Sequence, residues 1–147
     1  MTPLEKIRTW LQTFEDFDIL NHFRVDFTDQ VPANGGIFPS GLVEVDRRQD
    51  IFGSVTVTNQ YNFGLNYVFE KAPGDDAGAT INADWVMDFQ EWVQQQSIRR
   101  KVPVFGDEPQ RETVKAQNGT NSYADIDGVG VYTVHLSINF IKKYEVN

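Results

Sequence analysis

The sequence predicts a single α+β domain over residues 1–147, a mostly antiparallel sheet with two helices on one face, in the order α-β-β-β-α-β-β. Three observations predict it. From Val55 to Phe69 apolar residues occupy nearly every odd position, the period of a half-buried strand. Two other segments, after Pro3 and from about Thr80, repeat their apolar residues at three- and four-residue spacing, the period of an amphipathic helix. Sequential strands are joined by short Gly/Pro/Asn segments, which favours hairpins over the crossover helices of a doubly wound sheet.

Leu4, Ile7, Leu11 and Phe14 mark the first helix; Pro3 suits its first turn and Trp10 widens its apolar face. Phe23, Val25 and Phe27 then alternate with Arg24, Asp26 and Thr28 in a short strand. Pro32, Asn34, Gly35, Gly36, Pro39 and Gly41 break regular structure, so Gln30 to Gly41 is expected to be a surface loop before a strand with Leu42, Val43 and Val45. That strand pairs through Arg48-Gln49-Asp50 with the long strand of Val55, Val57, Tyr61, Phe63, Leu65, Tyr67 and Phe69, where Gly53 or Gly64 is expected to mark a bulge.

Lys71 to Ala79 reads as a solvated connector. Trp85, Val86, Phe89, Trp92 and Val93 then form one face of the second helix, against Asp84, Asp88, Gln90, Glu91 and Gln94. Two strands close the chain, one around Glu112 to Ala116 and one in which Tyr132, Val134, Leu136, Ile138 and Phe140 alternate with Thr133, His135, Ser137 and Asn139. Asn118-Gly119 and Asp127-Gly128-Val129-Gly130 bracket their connection.

Composition narrows the function. A hydrophobic share of 40% with 23% charged residues belongs to a folded domain, and an aromatic share of 13% supplies area for a core and for subunit contacts. A net charge of -8 argues against general nucleic-acid binding, which draws its affinity from Lys and Arg, and against anionic membrane surfaces. With no cysteine there is no disulfide, thiolate metal site or thiol nucleophile. The start, Met1-Thr2-Pro3-Leu4-Glu5-Lys6, lacks an apolar signal core, and assembly in the cytoplasm is the expectation.

The residues predict no catalytic, cofactor or metal site. His22 and His135 stand in no ligand-spaced or triad-like motif. The acidic groups Glu15-Asp16-Phe17-Asp18, Asp75-Asp76 and Asp107-Glu108 read as solvated patches, and Asp125-Ile126-Asp127-Gly128 lacks the remainder of a calcium loop. Gly128-Val129-Gly130 lacks the third glycine and following helix of a dinucleotide site. Of the basic runs, Arg47-Arg48, Lys142-Lys143 and Arg99-Arg100-Lys101, the last follows the second helix, whose dipole favours cations there.

As a whole the sequence resembles the tail terminator, or minor tail protein, family of phages and phage-tail-like particles of Gram-positive bacteria. The resemblance lies in Met1-Thr2-Pro3-Leu4-Glu5-Lys6-Ile7-Arg8, Gly41-Leu42-Val43-Glu44-Val45 with Arg47-Arg48, Asp88-Phe89-Gln90-Glu91-Trp92-Val93-Gln94, Phe105-Gly106-Asp107-Glu108-Pro109 and Tyr132-Thr133-Val134. It implies a ring-forming structural protein, usually hexameric, that caps the tail tube, ends its polymerisation and offers a surface to head or collar. The implied partners are further copies of the chain, the tail tube protein and the sheath protein of a contractile tail, with DNA only in passing through the lumen.

For contacts with tube or neighbouring subunits the expected residues are Pro32, Asn34, Gly35, Gly36 and Phe38 in the first long loop. Asn118, Asn121 and Tyr123 are expected in the second, and Arg47, Arg48, Arg99, Arg100 and Lys101 in the basic runs. The competing expectations are a neck protein joining head and tail and, from another class, a small enzyme working through paired carboxylates.

Overall fold

The computed structural model describes residues 2–15, 22–25, 34–70, 76–124 and 129–145, with side chains for residues 2–15, 35–68, 83–118 and 131–145. Helix α1 (Pro3–Leu11) begins in a capping box: Thr2 Oγ1 accepts from Glu5 N and the Glu5 carboxylate accepts from Thr2 N, both at 3.2 Å. It stops at Leu11, and Phe14, the last residue of the apolar repeat, enters the core from the following turn.

Five strands form one sheet: β1 (His22–Val25), β2 (Asn34–Gln49), β3 (Val55–Glu70), β4 (Thr113–Ala124) and β5 (Val129–Tyr144), in spatial order β1-β2-β3-β5-β4. Helix α2 (Asp76–Ile98) joins β3 to β4. The fold is thus the α+β arrangement read from the sequence; β1 pairs in parallel with β2, and every other pair is antiparallel. β5, whose even positions are all apolar from Tyr132 to Phe140, lies inside the sheet against β3, whereas β4, which offers the core Val114 and Ala116, takes the edge.

Several boundaries differ from expectation. β2 starts at Asn34, so Asn34 to Gly41 is strand where a loop was expected. Gly35 and Gly36 are buried in the ladder between β1 and β3, and Pro39 is tolerated where no described strand pairs with β2 on its outer side and no N–H donor is called for there. Bulges lie on β2, between Pro39 and Gly41 and between Glu44 and Asp46; Gly64 pairs in register, and Gly53, at φ +89, belongs to the β2–β3 turn. α2 takes in Asp76 to Ala79, placed in the connector by composition. β4 continues through Asn118 to Ala124 by accommodating Asn118 at φ +60 in an irregularity of the ladder.

One face of the sheet carries both helices. The register sets Leu65 opposite Val134, Phe63 opposite Leu136 and Tyr61 opposite Ile138, and these side chains meet Ile7 and Leu11 of α1 and Val86, Phe89 and Val93 of α2. Aromatic rings fill the space between the helices. Trp10 stacks on Trp92 at 4.9 Å, and Phe14 meets Trp85 and Phe89 edge-on at 5.7 and 5.5 Å. Each such residue, fully buried, contributes about 1.5–3 kcal/mol.

After α2 the chain makes a Schellman turn, in which Lys101 N donates to Gln96 O and Arg100 N to Ser97 O, with Arg100 at φ +58. It then clasps the end of the sheet. Lys6 Nζ donates to Val104 O at 2.8 Å and lies over the Phe105 ring; the buried Glu112 carboxylate accepts from Phe105 N and Gly106 N. Asp107 N donates to Ile141 O and accepts, through its carboxylate, from Lys143 N.

Candidate functional site

The most conspicuous surface is the outer half of the β2–β3 hairpin. Its inner half is covered by the helices, but beyond Pro39 every β2 side chain is exposed. Leu42, Val43 and Val45 lie along this arm, and at its tip Ile51 is 94% and Phe52 83% exposed. Yet the tip is well built. Asp50 Oδ1 accepts from Phe52 N at 2.9 Å and Ser54 N at 3.0 Å, Asp50 N donates to Ser54 O, and Gly53 supplies the positive φ that the turn requires.

The arm's charges are paired within it: Arg47 with Glu44 on one face and Arg48 with Asp46, at 3.1 Å, on the other. The Glu44 carboxylate raises the pKa of Arg47 further by accepting its hydrogen bond. Past Ile37 no described strand pairs with the outer edge of β2. Two bulges, Pro39 and four charged residues make this edge a poor template for another strand, so what the arm presents is side chains rather than backbone.

At the opposite edge of the sheet the backbone is covered instead. Ser97 Oγ of α2 accepts from Val114 N at 3.0 Å, and Gln90 Nε2 donates to Ala116 O at 3.3 Å. Between α2 and β4 runs an open groove of about 620 Å³, floored by Val114 and Ala116 and flanked by Met87 and Ile98, which are 62% and 73% exposed.

The sheet face away from the helices is polar along the middle of β3 and β5 and ends in a buried apolar pair, Val68 and Val131. Gln60 Nε2 donates to Asn139 Oδ1 at 2.8 Å, Thr133 Oγ1 to Asn66 Oδ1 at 3.0 Å, and His135 Nε2 meets Asn62 Oδ1 at 3.0 Å. His135 is therefore a rung of a neutral amide and hydroxyl ladder. His22 lies on β1. Asp107 and Glu108 belong to the clasp, where Lys143 at 2.7 Å holds the Glu108 carboxyl below its usual range, helped by Arg111. Among the described residues no three His, Cys, Asp or Glu side chains group as metal ligands, and no helix is long and apolar enough to cross a membrane. No family model and no curated protein matches the chain.

The expected contact residues separate into three groups. Arg47 and Arg48 lie on the arm, and Arg99, Arg100 and Lys101 at the end of α2, all exposed. Gly35, Gly36 and Phe38 belong to the inner part of β2, where Phe38 stands across from Gly64; Asn34 pairs through its backbone with Val68. Asn118 is exposed at its bulge, and Asn121 and Tyr123 pair through their backbones with Tyr132 and Val131. Pro32 lies outside the described residues. Ile51, Phe52, Met87 and Ile98 were missed. The signal for the tip was present, since two large apolar residues directly follow the predicted Arg48-Gln49-Asp50 turn.

Proposed function

We propose that the chain is a structural subunit that assembles with copies of itself into a ring, hexameric by resemblance, capping the end of a tail tube and ending the polymerisation of tube and sheath. The observation that carries this reading is the arm. A rigid hairpin holding Leu42, Val43, Val45, Ile51 and Phe52 in solvent adds little to the fold of one copy, and its apolar area is accounted for once a neighbouring subunit covers it. The ordered motifs resembling tail terminators supply the biological setting: a virion or tail-like particle, with the collar or head-joining surface on the side away from the tube.

The role needs a stiff body and subunit contacts, not a reaction.

The test is the native mass of the purified chain by light scattering, alone and mixed with tail tube protein, with negative-stain microscopy of the mixture. Rings, or caps on tube ends that stop elongation, are expected. A chain that stays monomeric and leaves tube growth unchanged would remove the terminator reading and favour the neck protein.

A further inference from the structure

We infer that Asn118 is a self-modifying site, at which the folded chain converts this residue through a cyclic imide to aspartate and isoaspartate. The inference is independent of the assembly proposed above. The chain contains two Asn-Gly pairs, Asn34-Gly35 and Asn118-Gly119, alike in local chemistry. Glycine matters in both, because without a Cβ its backbone nitrogen can approach the preceding side chain closely. The fold treats the two pairs in opposite ways.

Asn34-Gly35 is held from both sides. Its backbone pairs with Val68 and Tyr67 of β3 and with His22 and Phe23 of β1, and Gly35 is buried. Asn118-Gly119 lies on β4, the edge strand. The ladder with β5 passes from Gln117 opposite His135 to Thr120 opposite Thr133, so two residues of β4 face Val134 alone. Such a bulge leaves its extra residue out of the ladder. Asn118 is exposed there at φ +60, a left-handed conformation that Asn adopts more readily than most residues. The α2 side chains that cap the outer edge of β4, Ser97 and Gln90, bond at Val114 N and Ala116 O, before the bulge.

The reaction needs water and no other co-reactant. The Gly119 nitrogen attacks Cγ of Asn118 and gives up its proton to solvent; the new N–Cγ bond closes the imide as the Cγ–Nδ2 bond breaks and ammonia leaves. Water then opens the ring. Cleavage of the N–Cγ bond gives aspartate, and cleavage between the Gly119 nitrogen and the Asn118 carbonyl carbon gives isoaspartate, whose main chain runs through the former side chain. Attack requires the Asn118–Gly119 peptide to turn until nitrogen and Cγ meet. A doubly paired ladder forbids that rotation, and a bulge at a sheet edge permits it. Either product adds a carboxylate to a chain of net charge -8, beside Gln117, which lines the α2–β4 groove. Isoaspartate also lengthens the main chain of β4 by a methylene, which shifts Thr120 to Ala124 against β5.

The test follows both pairs in one sample. The full chain is incubated at neutral and mildly alkaline pH, folded and in urea, and mapped over time by peptide mass spectrometry, with enzymatic methylation of isoaspartate as a second readout. In the folded chain Asn118 should convert at least about a hundredfold faster than Asn34, which reacts only when its ladder opens. In urea the two rates should converge to within about threefold, because the unfolded chain distinguishes the pairs little. Asn118→Gln should remove the folded-state signal by both readouts. If Asn118 stays intact in the folded chain, the inference falls whatever happens in urea. Equally fast conversion of both pairs in the folded chain would also overturn it, since the ladder would then not select the site.

Discussion

The two halves of the β2–β3 hairpin share one continuous ladder and differ in almost everything else. At the inner end Ile37, Leu65 and Tyr67 are fully buried beneath α1 and α2, and the strands carry the core. At the outer end residues of the same chemical kind, Leu42, Val45, Ile51 and Phe52, stand in solvent on a turn held by Asp50. The inner residues maintain the fold. The outer ones have no comparable role in a single copy, so their cost in solubility is offset only where something else covers them.

Substitutions in the covered part should give the largest effects on stability. Phe89 is fully buried and touches Phe14, Tyr67, Trp85 and Trp92, so Phe89→Ala should lose about 3–5 kcal/mol in denaturant unfolding. A loss under about 1 kcal/mol would mean that the aromatic layer is far looser than its ring geometry implies. Next comes Gly106→Ala in the clasp. A Cβ at this position would fall well inside van der Waals distance of the Ile141 carbonyl, so either the loop must lift or the end of β5 must shift. The expected cost is about 1–3 kcal/mol, seen as a lower melting temperature and faster amide exchange around Ile141.

A smaller, pH-dependent effect comes from Tyr67, whose hydroxyl is pushed well above the usual tyrosine range by burial; Tyr132, its partner across β3 and β5, moves the same way. A group with a raised folded pKa binds its proton more tightly in the folded state. Stability should therefore hold below about pH 10, where the unfolded tyrosine also keeps its proton, and fall above it by about 1.4 kcal/mol per pH unit on account of Tyr67. Tyr67→Phe should flatten the fall in urea titrations between about pH 10 and 11; an unchanged slope would assign the alkaline loss to other groups.

The core was legible in the sequence because its periodicity is strong. The odd positions of β3, the even positions of β5 and the Trp85–Val93 face of α2 all point where the pattern says. The start of β2 was not, because Asn34-Gly35-Gly36 and Pro39 carry the composition of a loop. They become strand because β3 offers a ladder on one side and β1 pairs with Asn34 to Ile37 on the other. No local propensity contains that tertiary condition. The basic runs were found on the sequence, whereas the groove was invisible to it. Met87 and Ile98 fall on the side of α2 opposite Trp85, Phe89 and Val93, where the helical period puts them in solvent; that β4 runs beside them is a tertiary fact the pattern does not contain.

The smallest expected stability change is the one that sharpens the comparison most. Ile51→Ser with Phe52→Ser leaves the Asp50 turn, whose bonds involve backbone N–H groups, and removes side chains that touch nothing in a single copy. Monomer stability should change by less than about 0.5 kcal/mol, the range of exposed substitutions away from structural features. The matching pair at the inner end, Leu65→Ser with Ile37→Ser, buries two hydroxyls in an apolar core and should prevent folding. Measured on one protein by urea unfolding and light scattering, the tip variant should keep the midpoint and lose self-association. If it lost several kcal/mol instead, the tip would be part of the folded body and the contrast between the two halves would fail; if it kept both, the exposed apolar residues would serve neither fold nor assembly.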